Sequence, residues 1–167
     1  SDILLTYYDN IQNSEKKLKI LKNNNINDPV TLADLEVNEL IIKRLNQKYQ
    51  NVNWEILSEE NFKIKKNYCK QNAEWLWILD PLDGTKDFIQ GTGDFAMHLA
   101  LNYKQKPVIG IVLIPEKHEL WIACGNKLWC ENRNGKILKH NMSQTDILSE
   151  MTLVTSKNHR NEKLKDL

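Results

Sequence analysis

The stretch Trp-Leu-Trp-Ile-Leu-Asp-Pro-Leu-Asp-Gly-Thr, residues 75–85, decides the fold of the chain around it. Its first five residues are all apolar, which is typical of a strand buried on both faces. Pro81 disfavours helix at Asp80 and keeps the chain extended there. We therefore expect a buried strand over residues 75–79 that delivers the carboxylate of Asp80 at its C-terminal end, at an edge of the sheet.

The residues after this aspartate combine acidic groups with a turn. Asp83 is a second carboxylate, and Leu82 can turn its side chain inward and leave its carbonyl facing the carboxylates. Gly84 allows the backbone to approach a ligand closely. Thr85 then begins a short predicted helix, and the free amides at the start of a helix attract anions. The backbone at Asp83, Gly84 and Thr85 is therefore a candidate phosphate site.

A second acidic pair lies about twenty residues upstream, in Ser58-Glu59-Glu60, where a short strand over residues 54–57 is predicted to end. The hard oxygen ligands that could meet at these strand ends are the carboxylates of Glu59, Asp80 and Asp83 and the carbonyl of Leu82. Such ligands suit Mg²⁺, which commonly bridges to a substrate phosphate. Two ions sharing bridging carboxylates would offset the repulsion among the acids. A metal site beside a phosphate site favours phosphate-ester hydrolysis over simple ion storage.

The predicted order of elements is α+β, with helices first and a largely antiparallel meander after them. Residues 3–8 resemble the end of a helix, and Thr31 opens a longer helix to about Tyr49, with Asp34 completing a capping box. The segments 14–28 and 61–72 are polar; we expect a strand or irregular surface chain in the first and a mobile excursion in the second. Further strands are predicted at 95–103, 107–114, 119–124, 127–130 and 151–155, with hairpin turns at Gly125-Asn126 and Asn134-Gly135.

The composition of the whole chain excludes several classes of function. Its 167 residues suffice for one domain with a core, and its net charge of +1 gives no electrostatic footprint for a nucleic acid polymer or an anionic membrane. No apolar run reaches the ~20 residues of a membrane span, and no signal peptide is visible. Cys69, Cys124 and Cys130 have no disulfide or metal-site spacing, which indicates a reducing cytoplasm. We expect Cys124 and Cys130 to be small core residues.

Each acidic element also has a purely structural interpretation. Asp83-Gly84 is a common turn, Glu59-Glu60 fits a solvated loop, and Asp34 fits a helix cap. Taken together, however, three acidic elements end neighbouring segments and one follows a buried strand, so a shared site is favoured. His98, inside a predicted strand, is expected to be structural.

The ordered motifs resemble those of the inositol monophosphatase superfamily, the Mg²⁺-dependent, lithium-sensitive phosphatases. The motifs are Asp34 in a Thr-x-Ala-Asp context, Leu-Ser-Glu-Glu at 57–60 and Asp-Pro-Leu-Asp-Gly-Thr at 80–85. The resemblance runs from about Tyr7 to the end of the chain. Within the superfamily, the sequence is most similar to the 3'(2'),5'-bisphosphate nucleotidases of the CysQ type.

The resemblance implies a role for each matching residue. The metal ligands would be Glu59, Asp80 and Asp83 by side chain and Leu82 by its carbonyl, holding two or three Mg²⁺ ions; Asp83, Gly84 and Thr85 would bind phosphate. The Thr85 hydroxyl, hydrogen-bonded to Asp34, would help Glu59 to activate the attacking water. Ser156 and His159 match positions near the nucleotide. The fold implied is a sugar-phosphatase-like domain of helices on a largely antiparallel sheet.

The resemblance also implies an activity and a missing part. The substrate would be adenosine 3',5'-bisphosphate, a small phosphate ester that loses its 3'-phosphate; the alternatives are an inositol phosphate or another sugar phosphate, or a non-catalytic metal- or nucleotide-binding fragment. Members of the superfamily continue into a Trp-Asp motif and a second α/β domain. We therefore expect residues 1–155 to form the metal-bearing N-terminal domain and residues 156–167 to begin the second domain, and we expect the chain alone to have impaired turnover.

Overall fold

The computed structural model describes residues 1–12, 31–64, 73–138 and 145–152. The helices are α1 (Asp2–Gln12), α2 (Leu32–Lys48), α3 (Glu59–Ile64) and α4 (Thr85–Gln90), with 3₁₀ turns at Pro115–Lys117 and Leu148–Glu150. The strands are β1 (Trp54–Ser58), β2 (Trp75–Asp83), β3 (Ala96–Tyr103), β4 (Lys106–Ile114), β5 (Glu119–Cys124), β6 (Lys127–Asn132) and β7 (Ile137–Leu138). None of the described helices is both long and apolar enough to cross a membrane.

The strands of the described part form one seven-stranded sheet in chain order. β1 and β2 run parallel, with Ser58 opposite Leu79, and every later neighbour is antiparallel. From β3 onward the strands are joined by short connections; between β3 and β4, for example, Lys104 and Gln105 adopt positive φ angles of 47° and 66°. The predicted α+β fold, with helices on a largely antiparallel sheet, is confirmed.

The core lies between α1, α2 and one face of the sheet. α2 begins at the predicted place, because Thr31 is its N-cap and exchanges capping-box hydrogen bonds with Asp34. The core side chains of the sheet come from alternate positions of the central strands, among them Trp77, Leu79, Met97, Leu99 and Leu101.

The two faces of β2 differ in burial, which corrects the expectation that the strand is buried on both. Trp77 and Leu79 are buried on the helix-covered face, whereas Leu76 and Ile78 on the opposite face are only half-buried. The strand also extends further than predicted, through Asp83, so it includes the acidic motif itself.

Three other expectations were wrong. Residues 61–64, predicted as part of a mobile excursion, belong to helix α3. Met151 and Thr152 are exposed and follow a 3₁₀ turn rather than forming a strand. Cys130 is buried as expected, but Cys124 is an exposed free thiol because it ends β5 at the tip of a hairpin. The predictions for 14–28, 65–72 and 153–155 lie outside the described residues.

Candidate active site

The parallel pairing of β1 and β2 brings two acidic side chains together. Ser58 of β1 pairs with Leu79 of β2, and Glu59 and Asp80 are the residues that follow this pair. Parallel strands end at the same edge of a sheet, so these side chains meet there, and those of Glu59 and Asp80 are hydrogen-bonded to each other. The structure thus brings together two of the predicted metal ligands.

This contact changes the chemistry of Asp80. Burial and, after it, the charge of Glu59, the hydrogen bond to Glu59 and the charge of Asp83 raise the pKa of the Asp80 carboxyl to about 7. The backbone N–H of Leu82 donates to Asp80 Oδ1 over 3.1 Å and opposes the rise. Two carboxylates in contact require a shared proton or a nearby cation. The electrostatics of the pair therefore favour a cation site.

The two neighbouring acids Glu59 and Glu60 differ in burial. Glu59 is exposed at the sheet edge, whereas Glu60 is only 3% exposed. Ser58, which is fully buried, donates a hydrogen bond to Asn38 of α2 and so ties this strand end to the helix layer. Only Glu59 of the pair is thus placed to serve as a ligand beside Asp80.

A bulge in the β2–β3 pairing shapes the turn that follows. Asp80 pairs with His98 and Asp83 pairs with Ala96, so the register shifts between them. Leu82 is 1% exposed with its side chain inward, as predicted, while the Asp83 carboxylate points toward solvent with 60% of its side chain exposed. Asp83 is near enough to raise the pKa of Asp80, but it is less tightly bound into the pair than Glu59.

Gly84 is required at its position by both conformation and space. It is the N-cap of α4 with φ 82° and ψ 33°, the left-handed region. A Cβ there would lie 2.6 Å from the carbonyl oxygen of Asp94 and 3.3 Å from the Cα of Phe95. The predicted phosphate turn is therefore packed directly against the loop that precedes β3.

Aromatic packing holds this loop and helix α4 in place. The rings of Tyr8 in α1, Phe88 in α4 and Phe95 pack with centroids 4.9–5.6 Å apart, and Phe88 is fully buried. The Tyr8 hydroxyl also receives a backbone hydrogen bond from Gly93. The turn at Gly84 consequently lies on a preformed hydrophobic base, which the sequence patterns did not indicate.

Thr85 and Asp34, which are predicted to be hydrogen-bonded to each other, each have another partner in the structure. The Thr85 hydroxyl donates to the Leu82 carbonyl over 3.0 Å, and the buried Asp34 carboxylate accepts from both the backbone N–H and the hydroxyl of Thr31. The structural role foreseen for Asp34, the capping box, is thus present. A hydrogen bond from Thr85 to Asp34 stays a prediction, and the Leu82 carbonyl would share its lone pairs between Thr85 and any metal.

His98, for which a structural role is expected, lies beside the acidic residues of the site. It stands opposite Asp80 in β3, its side chain is 44% exposed, and its Nε2 lies 3.9 Å from Asp83 Oδ2. Sequence analysis missed it because a strand histidine gains this neighbour only through the pairing of β2 with β3. Its alternation with the core residues Met97 and Leu99 was the available signal, since it places the imidazole on the opposite face.

The donors fit a hard divalent cation in type. Within the described part of the chain, no group of three or more His, Cys, Asp and Glu side chains is arranged so that it could hold a metal ion. Glu59 and Asp80 are in contact, and Asp83 contributes at longer range. Carboxylate and carbonyl oxygens are the ligands of Mg²⁺, which keeps several waters and needs few protein ligands. Ser156 and His159, predicted near a nucleotide, lie outside the described residues.

Comparison with known proteins matches the inositol monophosphatase family to residues 1–166. The 3'(2'),5'-bisphosphate nucleotidase CysQ of Buchnera aphidicola subsp. Acyrthosiphon pisum is 33% identical over 143 residues, which cover 84% of this chain and 50% of that protein. A dual-specific IMPase/NADP phosphatase bound with D-inositol-1-phosphate is 25% identical, with a TM-score of 0.56 over 80% of this chain and 49% of that one.

A structure of an IMPase/NADP phosphatase complexed with Mg²⁺ and phosphate has the same fold, with 23% identity and a TM-score of 0.56 over 72% of this chain and 45% of that one. The chain spans half the length of the CysQ relative described above.

Proposed function

Because the chain belongs to the inositol monophosphatase family, we propose that it carries the metal- and phosphate-binding part of a Mg²⁺-dependent phosphoric monoester hydrolase. The observation that carries this proposal is the contact between Glu59 and Asp80 beside the turn at Gly84. Two carboxylates in contact, of which Asp80 has a raised pKa, favour a nearby cation, and a glycine turn at a helix start favours phosphate. Their adjacency suits a phosphate ester whose oxygens bridge both.

The chain's residues divide the work in this proposal. Glu59, Asp80, Asp83 and the Leu82 carbonyl would hold two or three Mg²⁺ ions, whose positive charge would activate water and stabilise the leaving oxygen. The backbone amides at Asp83, Gly84 and Thr85 hold the phosphate. Glu59 orients and activates the attacking water. The Thr85 hydroxyl, hydrogen-bonded to Asp34, assists Glu59 in this role. Attack is in line on phosphorus with no covalent enzyme intermediate.

We propose adenosine 3',5'-bisphosphate as the substrate, with AMP and phosphate as products. The identity of 33% to a protein named for this activity supports the proposal. Inositol 1-phosphate is the second candidate, because a structural relative at 25% identity was solved with it. We further propose that residues 1–155 form the metal-bearing domain and that 156–167 begin a second domain, in keeping with the 50% coverage of the CysQ relative.

Phosphate release by the full-length parent protein tests the proposal. The protein is incubated with Mg²⁺ and, separately, with adenosine 3',5'-bisphosphate, inositol 1-phosphate and fructose 1,6-bisphosphate. Asp80→Asn is expected to abolish release, whereas Glu74→Gln, a matched loss of an exposed acid at the far end of β2, should leave it unchanged. Absence of release from every substrate would exclude the enzyme, and a preference for inositol 1-phosphate would change the substrate alone.

A non-catalytic binding fragment is the rival function for this chain as it stands, because the chain spans half of the CysQ relative. Calorimetric titration of Mg²⁺ and nucleotide into the chain separates the two. Binding without phosphate release from the chain, together with release by the parent protein, would establish that the site is present but incomplete.

A further inference from the structure

Aromatic residues and cysteine aside, the buried polar side chains of the described chain are concentrated in one region. They belong to helix α2 with its N-cap and to the junction of β1 with α3, and they are Thr31, Asp34, Asn38, Ser58 and Glu60. Burying a polar group costs free energy unless the group is hydrogen-bonded. Thr31 and Asp34 satisfy each other in the capping box. The pair formed by Asn38 and Ser58 has no role in the proposed function.

This pair connects the helix layer to the end of β1. Asn38 lies one turn after Asp34 on the buried face of α2, and its Oδ1 accepts a hydrogen bond from the Ser58 hydroxyl. Ser58 is fully buried and Asn38 is 6% exposed, so water hardly competes for the bond. Two apolar side chains of the same shape would stabilise the chain about equally well. What the hydrogen bond adds is a fixed distance and direction between the two side chains.

The junction held in this way carries one of the two carboxylates in contact. β1 lies at the edge of the described sheet and has β2 as its neighbour there. Glu59 follows Ser58 directly, begins α3 and is exposed, whereas Glu60 is buried again. Glu59 therefore lies between two buried polar residues, with its side chain hydrogen-bonded to that of Asp80.

We infer that Asn38 is a positioning residue, which acts through Ser58 to keep the Glu59 carboxylate against that of Asp80 and thereby strengthens divalent-cation binding. The inference rests on the proposed function, because it uses the same two carboxylates. Like charges in contact repel each other, so a looser junction would let the two carboxylates separate. A cation would then have to bring them together again, and this reorganisation would lower its affinity.

A role in stability alone predicts a different pattern. Ser58→Ala leaves the buried Asn38 side chain without its donor, so both roles predict a lower melting temperature for this variant. Adding Asn38→Leu replaces both partners by apolar groups and should restore most of the stability. If the bond only stabilises the fold, the double variant should bind Mg²⁺ normally. If the bond positions Glu59, Mg²⁺ binding should stay weak.

The test is calorimetric titration of Mg²⁺ into the full-length parent protein, well below the melting temperature of each variant. We expect Ser58→Ala, alone and together with Asn38→Leu, to weaken Mg²⁺ binding by about tenfold, as for other groups that orient a metal ligand. If Ser58→Ala alone does not fold, the double variant supplies the same comparison. Trp54→Phe is the matched control, because it removes a 3.0 Å hydrogen bond to the Tyr49 carbonyl at the other end of β1 and keeps an aromatic ring. It should change the Mg²⁺ affinity by less than about twofold, since that end of β1 lies away from the carboxylates.

Glu59→Gln shows which proposal fails. In this background Ser58→Ala should change the Mg²⁺ affinity by less than about twofold, because the hydrogen bond acts through Glu59. Normal affinity in the double variant, or a full tenfold loss in the Glu59→Gln background, would overturn the inference while leaving the proposed function standing. If Glu59→Gln alone binds Mg²⁺ as tightly as the wild type does, the proposed metal site is wrong and this inference falls with it.

Discussion

Replacing Gly84 by alanine should destabilise the chain far more than the loss of one hydrogen atom suggests. The residue has a φ of 82°, and its missing side chain faces the backbone of the loop before β3. The added Cβ would lie 2.6 Å from the Asp94 carbonyl oxygen, a separation that real Cβ atoms essentially never show. Because the obstacle is backbone rather than a flexible side chain, either the turn or the loop must move.

The cost has two parts that can be estimated separately. An alanine in the left-handed region costs about 1–2 kcal/mol relative to glycine. Relieving an overpacked contact costs roughly another 1–3 kcal/mol, because backbone must shift. The expected loss is therefore about 2–5 kcal/mol, a large part of the ~5–15 kcal/mol that stabilises an ordinary domain.

Gly125 provides the matched control, since it shares the backbone conformation but not the crowding. Its φ is 57°, and a Cβ there would meet nothing within 4 Å. Gly125→Ala should therefore cost only the conformational part, about 1–2 kcal/mol. The difference between the two variants isolates the contact of the turn with Asp94, and the effect of alanine on the unfolded chain cancels.

Urea unfolding followed by tryptophan fluorescence measures both variants, as the chain has five tryptophans. Gly84→Ala should show the lower midpoint by a margin equivalent to about 1–3 kcal/mol, with an unchanged slope. If the two variants unfold within about 0.5 kcal/mol of each other, a difference at the limit of such extrapolations, the turn is not held against the loop and the account of a preformed phosphate site is wrong.

Three further predictions concern the acidic pair and its hydrophobic base. Mg²⁺ must displace the proton from the Asp80 carboxyl, whose pKa is about 7. The apparent affinity of the chain for Mg²⁺ should therefore fall about tenfold between pH 8 and pH 6. Calorimetry in two buffers measures the affinity and the proton release together, and an affinity that does not change with pH would contradict the prediction. Without metal, the raised pKa means that the folded chain binds more protons than the unfolded chain between about pH 4 and pH 7. The stabilisation from Asp80 is then present at acidic pH and lost as the pH rises through 7, and denaturation in EDTA should show this fall in the wild type but a smaller one in Asp80→Asn. Phe88→Ala should lower the free energy of unfolding by about 3–5 kcal/mol, because Phe88 is fully buried. The control Leu128→Ala should lower it much less, because that side chain is 45% exposed. Similar losses for the two variants in urea unfolding would contradict the assigned core.

The features predicted correctly are those fixed by neighbouring residues. The strand before Asp80, the glycine turn after Asp83 and the capping box at Thr31 each follow from local rules on alternation, proline, glycine and helix caps. The hairpin at Gly125-Asn126 is a further case, since its turn residues stand between two strand-like segments. Each of these features could be predicted from residues that are close together in the sequence.

The features that the sequence predicted wrongly or did not indicate depend on contacts between distant segments. Helix α3 forms over residues that look like a polar loop, and it begins directly after the strand end that Ser58 and Asn38 fix. His98 reaches Asp83 only because the bulge shifts the pairing of β2 and β3. Cys124 is exposed because β5 ends at the tip of its hairpin, although its own segment is apolar. No local pattern encodes these positions.

The turn and the carboxylates of the candidate site are held by different forces, and this difference has a consequence for ligand binding. The turn at Gly84 is fixed by packing against Asp94 and the aromatic base, so its amides are placed before any ligand arrives. The pair of Glu59 and Asp80 is instead under electrostatic strain, because one N–H from Leu82 does not offset two neighbouring carboxylates. Packing does not change between pH 6 and pH 8, whereas Asp80 loses its proton over this range. The affinity of the carboxylates for a cation should therefore vary steeply with pH in this range, while the geometry offered to phosphate stays constant.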